Sequence, residues 1–247
     1  LDELIPQVKK LNSKDWLKKI EIWKKKHPLK YPKRGGLRAQ HVLAELDRLT
    51  NSKAVISTDV GQHQMWAAQF CKSTRERQWL SSGGAGTMGY GFPAAIGAQL
   101  GKPKELVVAV VGDGGFQMTM SELATAAIHK LPLKILIINN RYLGMVRQWQ
   151  QLFFDNRESG VNMEGNPDFV KIGEAYGIKG FHLRRAGDVT KVLKKALAYS
   201  DGPCIIEAEV KKGDNVFPMI PAGAAVSEML IDEPPATRKL KKPVGST

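Results

Sequence analysis

The segment 106–140, with the sequence LVVAVVGDGGFQMTMSELATAAIHKLPLKILIINN, decides the fold class of this chain. Its two apolar runs, Leu106–Val111 and Ile135–Ile138, consist of aliphatic residues, most of them β-branched. Such continuous runs are typical of strands that are buried on both faces of a parallel sheet. The stretch Ser121–His129 between them has a helical pattern, so the segment is predicted to form one strand–helix–strand unit.

The same alternation of helix and strand continues on both sides of this unit. We therefore predict an α/β domain with a doubly wound, mostly parallel sheet and helices on both faces. The further predicted helices are 37–49, 62–70, 94–100, 144–153, 169–176 and 189–199, and the further predicted strands are 54–57 and 204–210.

The chain is predicted to have three parts. Residues 1–26 carry apolar side chains mostly at three- and four-residue spacing between lysines, which predicts an amphipathic helix that ends before Pro28. Residues 1–36 are interpreted as a helix and linker of a preceding domain, and the start at Leu1 leads us to expect further residues upstream. Residues 37–230 form the α/β domain, and residues 231–247 form a basic C-terminal tail.

The formal net charge of +13 raises the question of nucleic-acid binding. Residues 1–38 contain 12 Lys or Arg against 4 Asp or Glu, and residues 231–247 contain 4 against 2. Because the basic excess lies mainly in these two flanks, we interpret it as solvated lysine-rich faces and expect no nucleic-acid partner.

Two features of the composition bear on the cellular compartment. The sequence contains no run of about 18 apolar residues, so we expect no membrane-spanning helix. The two cysteines, Cys71 and Cys204, lie in apolar stretches and are predicted to be buried free thiols, as in a reducing compartment. We therefore expect a cytoplasmic protein, or one of an organellar matrix if the source is eukaryotic.

Polar turns follow both strands of the central unit. The first strand runs into Gly112-Asp113-Gly114-Gly115, and the second runs into Asn139-Asn140. Ligands of open parallel sheets bind just outside the carboxyl ends of strands. A carboxylate and an amide carbonyl are hard oxygen ligands that suit Mg²⁺, and glycines let backbone N–H groups approach a phosphate. A helix starting near Phe116 is expected to point its N-terminus at that charge.

Each turn alone is a common connection, but their combination is specific. Twenty-four residues separate Gly114 from Asn139, and this pairing resembles the cofactor-anchoring motif of thiamine-diphosphate enzymes. The resemblance implies the thiamine-diphosphate-binding fold, with Mg²⁺ bound by Asp113, Asn140 and the backbone carbonyl of Tyr142.

Three longer strings are similar to the catalytic subunits of acetohydroxyacid synthases: DVGQHQMWAA at 59–68, GTMGYGFPAA at 86–95 and NNRYLGMVRQWQ at 139–150. The similarity covers residues 37–230. It implies that Gln62 and His63 contact the diphosphate, that the Gly86 carbonyl accepts from the aminopyrimidine, and that Met88 wedges the cofactor into a bent shape. The full set of expected cofactor-binding residues is Val60, Gly61, Gln62, His63, Gly86, Met88, Gly112, Asp113, Gly114, Gly115, Asn140, Tyr142, Gly144 and Met145, with Val146 and Trp149 in the substrate pocket.

Each role has a structural alternative. His63 could cap a helix, and Met88 and Trp149 could be ordinary core residues. The remaining histidines have no ligand-like spacing, so no zinc site is predicted; they are His27, His41, His129 and His182. Ala85 stands where the family usually has a bulkier Leu, and the lost carbons are expected to loosen packing by roughly 2–4 kcal/mol if nothing fills the space.

The resemblance implies decarboxylation of pyruvate and transfer of the two-carbon unit to pyruvate or 2-oxobutyrate, giving 2-acetolactate or 2-aceto-2-hydroxybutyrate for branched-chain amino acid biosynthesis. We identify no catalytic residue in this chain, because the family's catalytic Glu belongs to a separate domain; Glu45, Glu105 and Glu122 lie in the wrong contexts. FAD is expected in the full-length enzyme, with a homodimer or tetramer and a small regulatory subunit. The alternatives are a catabolic acetolactate synthase, a glyoxylate carboligase, or a non-catalytic fragment that keeps the fold.

Overall fold

The computed structural model describes residues 1–9 and 11–234, so most of the predicted basic tail 231–247 lies outside the described residues. Within them the chain divides into two compact units, Leu1–Lys33 and the residues from Arg34 onward.

The first unit contains a 3₁₀ turn, Ile5–Gln7, and helix α1, Lys14–Lys26. The prediction of one helix over 1–26 is therefore wrong in its first half. The side chain of Asn12 accepts a hydrogen bond from the backbone N of Lys14 at 3.3 Å, and such local bonds compete with a continuous helix. Helix α1 ends at Lys26, just before His27-Pro28, as the proline predicts.

The second unit alternates helices and strands along the chain. The helices are α2 (Ala39–Leu49), α3 (Gln62–Phe70), α4 (Gly91–Gly101), α5 (Asp113–Thr119), α6 (Leu123–Ile128), α7 (Gly144–Phe153), α8 (Phe169–Ala175) and α9 (Val189–Ala198). The strands are β1 (Val55–Thr58), β2 (Trp79–Ser81), β3 (Val107–Gly112), β4 (Lys134–Asn139), β5 (Lys179–Leu183) and β6 (Cys204–Glu209). Short 3₁₀ turns occupy Met120–Glu122, Ala186–Asp188 and Val226–Glu228.

The strands form one sheet in the order β2-β1-β3-β4-β6-β5, and every pairing between them is parallel. The α/β prediction with a doubly wound sheet is confirmed. Strand β2 lies on one side of β1, whereas β3 and β4 follow on the other side of β1. The order therefore reverses between β1 and β3, which is where ligands of such sheets bind.

Two hydrophobic layers cover the two faces of the sheet. Alternate residues of a strand point to opposite faces, and β3 divides accordingly: Val108 and Val110 pack with α2, α3 and α9, whereas Val107, Ala109 and Val111 pack with α4, α5, α6 and α8. All six residues of β3 and all six of β4 are buried. Both central strands are thus packed on both faces. Only the polar residues at their carboxyl ends are placed to contact a ligand.

The structure corrects the predicted elements at several points. Strands β2 and β5 were not predicted, because these edge strands are incompletely buried and lack a continuous apolar run. Helix α5 begins at Asp113 and not near Phe116, so the acidic residue is itself the first helical residue. The stretch 121–129 begins as a 3₁₀ turn and becomes α-helical only from Leu123.

Both cysteines are buried and free, as predicted. Burial raises the pKa of the Cys71 thiol to about 12 and that of Cys204 to about 11, so neither side chain is a reactive thiolate near neutral pH. Among the described residues, no helix combines the length and apolar character needed to cross a bilayer.

Candidate cofactor-binding site

The carboxyl ends of three adjacent strands meet at one edge of the sheet. Strand β1 is followed by the turn 59–61, β3 by the Asp113 turn, and β4 by Asn140. The register pairs Thr58 with Val110 and Gly112 with Ile138, which aligns the three ends. The position of the turns therefore follows directly from parallel pairing.

A cavity of about 170 Å³ opens between these strand ends. Thirteen of the fourteen expected cofactor-binding residues line it, together with Val146; the exception is Gly86. Trp66, Ile138 and Leu143 also line it and were not predicted. The lining set is Val60, Gly61, Gln62, His63, Trp66, Met88, Gly112, Asp113, Gly114, Gly115, Ile138, Asn140, Tyr142, Leu143, Gly144, Met145 and Val146.

Gly86 lies on the exposed turn that precedes Met88. It has a φ of 68°, a left-handed conformation that strongly favours glycine, and an added Cβ would come 3.8 Å from Val60 Cγ2. The turn therefore runs beside the cavity. Ala85 next to it is exposed, so its short side chain leaves no buried gap among the described residues.

Asp113 supplies the buried negative charge of the cavity. The residue is 2% exposed, and its Oδ2 accepts a hydrogen bond from Asn166 Nδ2 at 2.6 Å. Burial raises the pKa of Asp113 to about 6, although Asn166, the backbone N–H groups at 113 and 114, and the charge of His63 pull it down. A carboxylate that is desolvated to this extent gains stability from a nearby cation.

Asn140 presents its carbonyl oxygen on the same side. Its Oδ1 accepts from the backbone N of Tyr142 at 3.1 Å, and its Nδ2 donates to Gln62 Oε1 at 3.1 Å. These two bonds fix the orientation of the amide. An amide oxygen has two lone pairs, so Oδ1 retains one for a metal ion. Asp113, Asn140 and Tyr142 thus provide oxygen ligands of the type that a hard divalent cation prefers.

The side chain of Gln62 is fully engaged within the protein. Besides accepting from Asn140, it donates from Nε2 to Gln148 Oε1 and to the backbone oxygen of Asp214, both at 2.9 Å. Asp214 in turn pairs with buried Arg38. Gln62 therefore lines the cavity while its amide holds Asn140 in place, a role that the sequence did not indicate.

His63 is held by a residue that the sequence analysis did not assign to the site. Asp59 is completely buried, and its Oδ1 accepts a hydrogen bond from His63 Nε2. Ring nitrogen Nδ1 of His63 has no hydrogen-bond partner among the described residues and lies against the backbones of Gly61 and Gly112, whose added Cβ atoms would come within 2.9 and 2.8 Å of it. These close approaches require glycine at both positions.

Asn166 is a second residue that the sequence analysis missed. It lies in the loop before α8, far along the chain from Asp113, and also accepts from Gln117 Nε2 at 2.9 Å. No spacing pattern in the sequence connects these positions, so the contact could not be predicted locally.

Trp149 lies in a neighbouring cavity of about 580 Å³. Met145 and Val146 line both cavities, and Gln150, Phe154 and Arg157 complete the second. Trp149 also packs edge-on against Phe153 with a ring-centre distance of 5.6 Å and joins a small hydrophobic cluster. The side chain is thus partly core and partly cavity wall.

A cluster of Asp168, His182 and Glu207 lies outside the cavity. Their ligand atoms lie within 4.8 Å of one another, and His182 Nδ1 is 3.4 Å from Glu207 Oε2. These three residues have no ligand-like spacing in the sequence, so only the fold brings His182 to the two acids. Asn139 Nδ2 already donates to Glu207 at 2.8 Å and Lys171 N donates to Asp168 at 3.1 Å, so we assign no metal to this ion-pair cluster.

Comparisons with known proteins agree with this site. Residues 59–208 match the family model described as the thiamine pyrophosphate enzyme, C-terminal TPP binding domain. The match begins at Asp59 and includes the turns after β1, β3 and β4.

The chain is also similar to curated acetolactate synthase subunits. It is 46% identical over 217 residues to the acetolactate synthase large subunit of Porphyra purpurea, which covers 87% of this chain and 36% of that protein. It is 43% identical over 232 residues to the acetolactate synthase isozyme 2 large subunit of Escherichia coli (strain K12), covering 93% and 42%. With the large subunit of Lactococcus lactis the identity is 44%, covering 87% and 37%. The chain therefore spans little more than a third of the length of the relatives that it matches.

Proposed function

Because the chain belongs to the thiamine pyrophosphate enzymes, as their C-terminal TPP binding domain, we propose that it is the cofactor-binding part of an acetolactate synthase large subunit. The proposed reaction decarboxylates pyruvate and transfers the two-carbon unit to a second 2-oxo acid, giving 2-acetolactate or 2-aceto-2-hydroxybutyrate. One observation carries the proposal: Asp113, Asn140 and Tyr142 converge with the glycine turns on one cavity.

The chain's own residues bind and orient the cofactor. Asp113, Asn140 and the Tyr142 carbonyl would hold Mg²⁺, and His63 and the backbone N–H groups at 114 and 115 would bind the diphosphate. When bound, thiamine diphosphate supplies the nucleophilic carbon and the electron sink for decarboxylation. Met88, Met145 and Val146 contribute apolar surface to the wall of the cavity.

The base that activates the aminopyrimidine is proposed to come from another domain. Asp113 is the one acidic residue that lines the cavity in the described part of the chain, and it is assigned to the metal. We propose that the longer protein also binds FAD and assembles as a homodimer or tetramer with a small regulatory subunit. We further propose that it acts in the cytoplasm or an organellar matrix, without nucleic-acid or membrane partners. The reducing compartment is supported by the two free thiols.

Calorimetric titration with thiamine diphosphate tests the cofactor assignment. We expect binding in the presence of Mg²⁺ that weakens strongly when Mg²⁺ is omitted or when Asp113 is replaced by Ala. Asp155, an exposed acid, provides the matched control as Asp155→Ala, which should bind like the unmodified chain. Binding that is equally tight without Mg²⁺ and in Asp113→Ala would refute the proposed site.

The acceptor preference is proposed to depend on Trp149. Replacing it with Leu enlarges the second cavity, and one or two missing contacts to a methylene typically change selectivity by about tenfold or more. In the holoenzyme, competition between pyruvate and 2-oxobutyrate should therefore shift toward 2-acetolactate in Trp149→Leu. Leu152→Ala, which removes a side chain from the same hydrophobic cluster but not from the cavity wall, should leave the product ratio unchanged. An unaltered ratio in Trp149→Leu would favour another carboligase of this family.

A further inference from the structure

Asp59 connects two segments that line the cofactor cavity. It directly follows β1 and is completely buried. Its Oδ1 accepts from His63 Nε2 in the first turn of α3, and its Oδ2 accepts from the backbone N of Gly89 at 2.9 Å. Gly89 follows Met88, so a single carboxylate bonds both to the proposed diphosphate ligand and to the turn that carries the methionine.

The surrounding backbone is shaped to accommodate this carboxylate. A Cβ on Gly115 would overlap Asp59 Oδ2, and a Cβ on Gly91 would lie 2.9 Å from the Asp59 backbone N. Among the described residues, His63 is the basic side chain that pairs with Asp59. A buried carboxylate is costly unless it is paired and hydrogen-bonded. The arrangement satisfies both oxygens, and it does so with groups that border the cavity.

We propose that Asp59 is a positioning residue that turns the Nδ1 of His63 toward the cofactor and couples this histidine to the Met88–Gly89 turn. The inference rests on the proposed function, since it concerns how the chain orients its diphosphate-binding group. Because Nε2 donates its proton to Asp59, Nδ1 is the ring nitrogen left for the cavity, and it donates to a diphosphate oxygen when it also carries a proton. Asp59 is not among the residues that line the cavity, and it acts through His63 and Gly89.

The variant Asp59→Asn changes the hydrogen bond to His63 but keeps the hydrogen bond from Gly89. The Gly89 N–H needs an oxygen, so the amide oxygen of the new side chain must stay there and its NH₂ group must face His63. A donor facing Nε2 requires that nitrogen to accept, so the ring loses the carboxylate that supports protons on both of its nitrogens. The Gly89 bond therefore survives, while the protonation of His63 Nε2 changes.

Nitrogen NMR of the histidine rings, combined with titration of thiamine diphosphate and Mg²⁺, tests the proposal on this chain. His63→Gln identifies the His63 signals among the five histidines. We expect a protonated Nε2 in the unmodified chain, an unprotonated Nε2 in Asp59→Asn, and a dissociation constant for the cofactor about tenfold higher in the variant, because a ring without a carboxylate behind it donates more weakly from Nδ1 to the diphosphate. His63→Gln should weaken binding similarly, and the double variant should bind no worse than either single variant.

Asp47→Asn is the matched control. Asp47 also bridges two segments, accepting from Lys72 N at 2.9 Å and from Ser52 Oγ at 3.0 Å, but it does not line the cavity. It should leave the His63 ring and the cofactor affinity unchanged. An unaltered protonation of His63 Nε2 in Asp59→Asn, or effects that simply multiply in the double variant, would overturn the inference. If the unmodified chain binds no cofactor, the proposed function fails instead, and the ring signals still decide whether Asp59 orients His63.

Discussion

Asp113→Asn is expected to stabilise the chain while abolishing Mg²⁺-dependent cofactor binding. Burial raises the pKa of Asp113 to about 6 from its ordinary 3.8, so the folded state disfavours the ionised carboxylate. A group of this kind lowers the free energy of unfolding progressively as the pH rises through the interval between the two pKa values, and the penalty is complete above the folded-state pKa. A shift of about two units corresponds to an upper limit of about 3 kcal/mol. Asparagine is neutral and removes that penalty.

Urea unfolding at two pH values measures this effect. At about pH 7.5 the variant should have a free energy of unfolding about 1–3 kcal/mol above that of the unmodified chain, and below about pH 4 the difference should disappear because the aspartate is then protonated. The substituted amide keeps one oxygen, which can still accept the bond from Asn166. Cofactor affinity should fall by more than about a hundredfold, since even the outer-shell partners of metal ligands contribute ten- to a hundredfold.

Asp168→Asn is the control, because its effect on the free energy of unfolding is expected to have the opposite sign. The pKa of Asp168 lies below its usual range: burial pushes it up, but the Lys171 backbone N–H and the charge of His182 outweigh that. Its ionised form therefore stabilises the fold, and its replacement should not raise the free energy of unfolding. A destabilised Asp113→Asn at about pH 7.5 would contradict the assignment of Asp113 as a strained, desolvated ligand.

Gly144→Ala is expected to disrupt the site and destabilise the chain. Gly144 is the first residue of α7, where alanine would ordinarily favour the helix by up to about 1 kcal/mol. Here the added methyl would overlap Gln62 Oε1 and come 2.7 Å from Asn140 Nδ2. Gln62 would have to move, breaking its bonds to Asn140, Gln148 and Asp214. Overpacking and lost buried hydrogen bonds together predict a loss of about 2–4 kcal/mol.

Gly97→Ala provides the comparison for Gly144. Gly97 lies within α4, is exposed, and an added Cβ meets no atom within 4 Å. It should raise the free energy of unfolding by about 0.5–1 kcal/mol, so the two glycine substitutions should have opposite signs in the same urea experiment. Cofactor titration should show weakened binding in Gly144→Ala alone. Equal stability of the two variants would mean that Gln62 can vacate its position without cost.

The spatial partners of the site residues could not be predicted from the sequence. The pairs Asp113–Asn166 and Gln62–Gln148 join positions 53 and 86 residues apart, and no local pattern specifies which turn meets which. Sequence similarity identified Gln62 as a cofactor contact, but only the fold reveals that its amide holds Asn140. The edge strands β2 and β5 were missed for a related reason, since partly exposed strands have no distinctive composition.

Local patterns in the chain were sufficient to predict the α/β class, the two central strands and the residues that end them. The physical reason is that β-branched apolar runs must be buried on both faces, and parallel pairing then places Asp113 and Asn140 at the same edge. The orientation of the site groups, in contrast, required the folded domain. Asp59 and His63 are only four residues apart, yet their roles follow from glycines of their own turn and of two other segments that leave room for them. Hydrogen-bond direction and burial depend on atoms brought together from distant positions, and those are set by packing of the whole domain.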